Sequence, residues 1–252
     1  MCCFAGHVSD VSGTDIFARV DGGREYLVYQ MSFSSEQQTA MILPIPVAAE
    51  SGRDDVQFVA LDDYPQFFGD LEAHFNEIKS NVKLLGQTGT RASLKVHHVG
   101  AFEASFVPDM DQWDRLDRRF TIPREIWRQL PAYETFGFVV FKLQPGKHVN
   151  VHPMAFSFPT QDPNTVFFPT VHIHDGTIHE TADFDHVLYT QNEPSRPISR
   201  ESQPNFWLPS GASASRYLRT ERTRGLVDPN APCFQSAVVG SWKNSDVLVR
   251  IG

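Results

Sequence analysis

Apolar and polar positions along the first third of the chain follow the period of strands, then of one helix. From Glu25 to Phe33 the residues EYLVYQMSF alternate. Tyr26, Val28, Gln30 and Ser32 fall on one side, and Leu27, Tyr29, Met31 and Phe33 on the other, which is the period-2 signature of a strand. Ile16 to Val20 predicts a strand before it, with Asp21-Gly22-Gly23 as the turn between. AMILPIPV, at 40–47, is a short apolar strand. Its Pro44 and Pro46 have no N–H for a ladder, so the strand ends there or lies at an edge. Phe67, Phe68, Leu71, Phe75 and Ile78 then recur at helical spacing behind Asp62-Asp63 and Pro65. This predicts a helix over 65–79 with one face in the core.

Further along, strands are expected over 92–107, with Val96, Val99, Phe102 and Phe106 in the core. A helical insert follows over 109–130, opened by Asp109 and Gln112 as a variant capping box and restarted at Pro123. FGFVVFKL and HVNVHPMAFSF read as two more strands across a Pro145-Gly146 turn. The stretch Phe167 to His186, FFPTVHIHDGTIHETADFDH, reads as a hairpin. Residues 192–235 read as long loops, and Ala237 to Val239 and Asp246 to Ile251 as the last strands.

The expected class is α+β, mainly antiparallel sheet, with short helical inserts at 65–79 and 109–130. Residues 1–252 read as a single domain, with two β subunits, 1–107 and 131–252, joined by the insert 108–130 as a finer possibility. Met31-Ser-Phe33 followed by AMILPIPV is similar to Met154-Ala-Phe156 followed by TVFFPTVHI. That similarity suggests two related β hairpins facing each other.

Composition narrows the functional classes. Of 252 residues, 41% are hydrophobic and 21% charged, which fits a globular protein, and 20 Phe with 17 Pro favour short strands and irregular loops. The net charge is −8, which argues against nucleic acid and anionic membrane surfaces as partners. No apolar run approaches the roughly 20 residues of a membrane helix. The opening MCCFAGHVSD lacks the basic and apolar regions of a signal peptide, so a cytoplasmic location is expected. Cys2, Cys3 and Cys233 are expected as reduced thiols rather than a disulfide framework.

The order of several short motifs resembles an uncharacterised bacterial domain family of unknown function. The motifs are Cys2-Cys3, LPIPV at 43–47, a strand with Val99, Gly100, Phe102 and Glu103, an insert ending at Tyr133, the strand Gly137 to Leu143, the strand Pro153 to Phe158, and Pro169. They cover residues 2–175, and no characterised family is matched. The resemblance implies a fold and carries no assigned chemistry. The family is mostly exported or membrane-anchored, whereas this chain lacks a signal sequence and has histidines where the family has ordinary strand residues.

The histidines carry the candidate chemistry. With Asp175-Gly176 as a two-residue type I′ turn, His174 faces Thr177, Ile173 faces Ile178, and His172 faces His179. His172, His174 and His179 then share one face, with opposed Cβ atoms about 4.5–5.5 Å apart. Three imidazoles suit one transition-metal ion (copper, iron or zinc) with an open position for water, oxygen or substrate. The expectation is a mononuclear metalloenzyme, slightly favoured as an oxidoreductase, acting on a small-molecule or peptide substrate. A solvated strand face would carry the same residues. Cys3, His152, Asp185 and His186 are candidate further ligands or orienting partners, with Asp183 nearby.

Two alternatives stay open. Cys2 would become an N-terminal nucleophile if Met1 were removed, giving a hydrolase; the opening resembles the Met-Cys-Gly start of glutamine amidotransferases, with Cys3 in place of glycine. The other is a non-catalytic metal-binding or scaffold domain. Arg216, Arg219 and Arg222, spaced by three, would line one helical side and bind an anion. His97-His98 is a weaker feature, because adjacent strand residues point to opposite faces.

Overall fold

The computed structural model describes residues 3–83, 103–195 and 206–251. The strands are β1 (Cys3–Ala5), β2 (Asp10–Asp21), β3 (Arg24–Ser35), β4 (Thr39–Ile45), β5 (Gln57–Val59), β6 (Glu103–Val107) and β7 (Gly137–Leu143). They continue with β8 (Gly146–Asn150), β9 (Met154–Pro159), β10 (Thr165–Phe168), β11 (Thr181–Thr190), β12 (Leu208–Ser213), β13 (Pro232–Lys243) and β14 (Val247–Arg250). Two α-helices, α1 (Phe67–Lys83) and α2 (Arg124–Trp127), and several 3-10 turns complete the described residues.

The large sheet runs β12-β13-β11-β2-β3-β9-β5, with β8 also paired to β3. A second sheet runs β1-β4-β7-β6, and β10 pairs with β14. Every pairing between these strands is antiparallel except β11 with β2. Both of the larger sheets mix strands from the two halves of the chain.

The sheets stack because their strands are apolar on both faces. Leu27, Tyr29, Met31 and Phe33 of β3 point into a core shared with Met41, Leu43 and Ile45 of β4 and Val139 and Phe141 of β7. That core fills the space between the two sheets. Val28, Phe17 and Tyr189 on the opposite face of the large sheet meet Phe67, Phe68, Leu71 and Phe75 of α1. Ile42, Phe138 and Val140 on the outer face of the second sheet meet Trp113, Phe120, Trp127 and Tyr133 of the insert. The order of layers is therefore helix, large sheet, small sheet, insert. Two-sided burial explains why β4 is buried along its whole length, Pro44 included.

The alternation in EYLVYQMSF is the alternation of β3, and Asp21 pairs with Arg24 across Gly22-Gly23, both at positive φ as a type I′ turn requires. The helix over 65–79 is α1, shifted to 67–83. The insert differs from the single helical stretch expected. Asp109 does accept from Gln112 N at 3.0 Å, but the turns it caps are 3-10, and α2 is only four residues long. The strands expected at 92–107 fall outside the described residues apart from β6.

Two paired hairpins were expected and are corrected. β3 and β4 lie in different sheets, and so do β9 and β10. At each place the chain turns a corner between layers, so that both faces of both strands find apolar cover. A strand inside the supposed tail loop, β12, was not foreseen; its Pro209 sits at the edge of the sheet, where no ladder donor is needed.

Glu25 of β3 is fully buried beside this core. One carboxylate oxygen accepts from Phe167 N at 2.8 Å and the other has no partner among the described residues. Burial raises its pKa well above the ordinary carboxylate value. An acid raised in the folded state favours folding below its unfolded value and loses that contribution as pH rises. Glu25→Gln is therefore expected to gain on the parent chain by about 1.4 kcal/mol per pH unit above 4.5, up to the folded-state value. Urea unfolding at pH 5 and pH 8 checks this; an unchanged difference would contradict it.

Candidate functional site

The histidine segment is shaped by the turn between β13 and β14, residues 244–246. Asp246, half-buried, accepts from Thr170 N at 2.8 Å, Val171 N at 3.1 Å and the Tyr133 hydroxyl at 2.6 Å. Asn244 accepts from His172 N at 2.8 Å, and its amide donates to the carbonyls of His172 at 3.0 Å and His179 at 3.1 Å. On its other side the segment meets β1: Cys3 bridges Ile173 in parallel, and Phe4 N donates to the Ile173 carbonyl at 2.9 Å. Most backbone groups of 170–173 are thus satisfied from distant parts of the chain.

No hairpin forms at Asp175-Gly176, which corrects that expectation. Asp175 folds over its own backbone, accepting from Thr177 N at 2.9 Å, and Gly176 takes φ +76°. Asp175 also meets His179 Nε2 at 3.0 Å, and the His179 side chain is 62% exposed. Without the hairpin His179 is not opposite His172.

His172 and His174 do share a face, as their spacing of two requires. Their rings stack 5.3 Å apart at 17°. The third ring is His186 of β11, 5.3 Å from His172 at 18°. Phe184 packs on His172 at 4.3 Å and Phe4 against the edge of His174 at 5.8 Å. Burial lowers the pKa of His172 to about 2 and that of His174 to about 4, so both rings are neutral near pH 7.

The arrangement is a ladder of nearly parallel aromatic rings. Metal ligation needs nitrogen lone pairs converging on one point about 2.0–2.1 Å away, and lone pairs lying in stacked planes run side by side. Among the described residues no group of three or more His, Cys, Asp or Glu is placed to hold a metal ion. The expected mononuclear metal centre at His172, His174 and His179 is corrected on this ground, and with it the oxidoreductase, metal-binding and copper readings.

The other candidates are scattered. Cys3 turns to the opposite face of the segment, among Ile173, Val171 and Ala5, with its thiol 3.8 Å from the Val171 carbonyl. Cys2 and His97-His98 lie outside the described residues. His152 is remote, with Nδ1 at 3.1 Å from the Pro153 carbonyl and Nε2 at 3.9 Å from Asp62. Asp185 accepts from Gly13 N at 2.6 Å and lies 3.8 Å from His186 Nδ1.

Arg216, Arg219 and Arg222 sit on two separate 3-10 turns rather than one helical side. Arg219 N donates to the Tyr64 hydroxyl at 3.0 Å and Arg222 donates to the Asp63 carbonyl at 3.0 Å. These arginines fasten the turn that leads into α1. Cys233 is buried against Tyr217, and burial pushes its thiol up to about 12, which makes it inert as a nucleophile.

Asn244 and Asp246 were missed in the sequence. Their only local signal is a polar Asn-Ser-Asp between two apolar runs, which reads as an ordinary turn.

No family model matches the chain, and no curated protein does, in keeping with the expectation that no characterised family would. No helix among the described residues is long and apolar enough to cross a membrane. Solved structures do match. The crystal structure of baculovirus P35 agrees with a TM-score of 0.52 at 15% identity, covering 99% of each chain. That of a mutated baculovirus P35 after caspase cleavage agrees with a TM-score of 0.52 at 13% identity, covering 95% of this chain and 99% of that one. The crystal structure of the caspase-8/P35 complex gives 0.48 at 12% identity, over 95% and 96%. P35 is described after cleavage by a caspase, a protein partner, and the expectation of a small-molecule or peptide substrate is corrected on that finding. In architecture, this chain is similar to baculovirus P35 from end to end.

Proposed function

We propose that this chain is a non-catalytic protein ligand of a cysteine protease of the caspase type. The observation that carries the reading is the end-to-end agreement in fold with P35, one form of which was solved after caspase cleavage. Two features of the chain support it. The cysteines it describes, Cys3 and Cys233, are buried, and Cys233 is held as a thiol. The histidines beside Cys3 are weakened as bases. Neither arrangement supplies the activated nucleophile and base that covalent catalysis requires. We place the protein in the cytoplasm, where cysteines outside disulfides stay reduced.

The test mixes the purified chain with an active caspase and follows hydrolysis of a fluorogenic tetrapeptide, with intact mass in parallel. Protease activity is expected to fall in proportion to added chain, and two fragments with complementary masses are expected to mark one cut. Full protease activity beside an uncut chain, across a panel of caspases and caspase-like proteases, would refute the reading.

A further inference from the structure

β12 accompanies β13 only as far as Gln235. From Ser236 to Lys243, β13 is paired on its β11 side alone among the described residues. Unpaired amides and carbonyls along such an edge are a template for another strand. Natural edges are usually blunted by charge, proline or cover, and this one carries a single charge, Lys243 at its far end. Val239 is 61% exposed and Trp242 39%. Phe206, whose carbonyl accepts from Ser236 Oγ at 2.6 Å where the edge begins, is 69% exposed. The Trp242 indole donates to the Val239 carbonyl at 2.9 Å, so a donor from outside the β11 ladder already reaches the edge.

Charge decides the occupant. Opposed residues share a face, so Val239 lies beside Asp185 and Ser241 beside Asp183. Asp183 is exposed, Glu180 is exposed just beyond it, and the small Gly240 and Ser241 leave the way from the edge to Asp183 open. A strand added beside β13 would lie about 10 Å from β11, two strand spacings away, within reach of a long basic side chain that lays its stem over Ser241. The chain carries a net charge of −8, so a second copy laid antiparallel on the same edge would bring like charges together. We infer that the β13 edge from Ser236 to Lys243 takes up an extended segment of a protein partner by strand addition. On the face of Trp242 the segment presents apolar side chains, and on the face of Val239 its lysine or arginine side chains lay their stems over Val239 and Ser241 and reach Asp183. This inference is independent of the protease reading.

The test uses the full chain and a capped hexapeptide of alternating lysine and valine carrying a neutral fluorophore, read by anisotropy at low salt. Saturable binding is expected. N-methylation of alternate peptide nitrogens should weaken it about tenfold, a cost of roughly 1.4 kcal/mol. Asp183→Lys, at an exposed position, should weaken the lysine peptide and strengthen a glutamate–valine counterpart while leaving the melting temperature unchanged. Three results overturn the proposal: no saturable binding at millimolar peptide, equal binding of the N-methylated peptide, or a dimer in sedimentation that Val239→Lys dissociates. The last would assign the edge to a second copy.

Discussion

Asp246→Ala is expected to lower the stability of this chain by about 3–9 kcal/mol, the cost of leaving three donors without an acceptor at roughly 1–3 kcal/mol each. The donors are Thr170 N, Val171 N and the Tyr133 hydroxyl, and Thr170 and Tyr133 are themselves buried. A domain has only about 5–15 kcal/mol in hand, so the variant should be marginal. The two carboxylate oxygens divide the work. Oδ1 takes both backbone amides and Oδ2 takes the tyrosine. Asp246→Asn keeps an acceptor for the amides and should recover more than half of the loss, whereas Tyr133→Phe removes one bond and should cost about 1–2 kcal/mol. Urea midpoints of the three variants give the ranking Ala, then Asn, then Tyr133→Phe in order of damage. A loss below 1 kcal/mol for Asp246→Ala would show that the turn does not hold the 170–173 segment.

That dependence on a distant turn explains which parts of the structure the sequence discloses. Strands β3 and β4 and the face of α1 are legible because burial imposes its period directly on neighbouring residues. The Asp109 cap is legible for the same reason, since its partner Gln112 is three residues away. The turn at Asp21-Gly22-Gly23 forms and the type I′ turn at Asp175-Gly176 does not, though both contain Asp-Gly. In the first case the flanking strands have each other as ladder partners. In the second the flanking amides and carbonyls are taken by Asn244, Asp246 and β1, some 70 residues ahead or 170 behind. The shared face of His172 and His174 is local and legible. Their third neighbour, His186, arrives on a strand of the large sheet, and His179 leaves to meet Asp175. Likeness to P35 at 13–15% identity resides in the overall fold, which single-residue motifs do not record.

His172→Phe is expected to be close to the parent chain in stability at pH 7.5 and about 2 kcal/mol more stable than it at pH 5. The His172 pKa is lowered from 6.5 to about 2 in the folded chain, chiefly by burial, so the ring stays neutral there while the unfolded chain takes up a proton. The unfolded state therefore binds more protons between pH 6.5 and 2, and stability falls as pH falls through that range. At pH 5 the shortfall is about 1.5 pH units at roughly 1.4 kcal/mol each. Phenylalanine keeps the stacking against Phe184 and His186 and removes the proton site. Asp246 and Glu25 act with the opposite sign, because burial raises both: Asp246 moves from 3.8 to about 6, and acid favours the folded form of each. His174, lowered to about 4, adds to His172. Between pH 4.5 and 6 two histidines that lose stability with acid face two carboxyls that gain it, so the parent curve should be nearly flat while the difference between parent and His172→Phe is steep. Urea unfolding of the pair at several pH values from 8 to 4.5 reads that difference directly. A difference that stays constant across the range would mean that the unfolded and folded chains protonate His172 alike, and that the ring ladder is open to solvent.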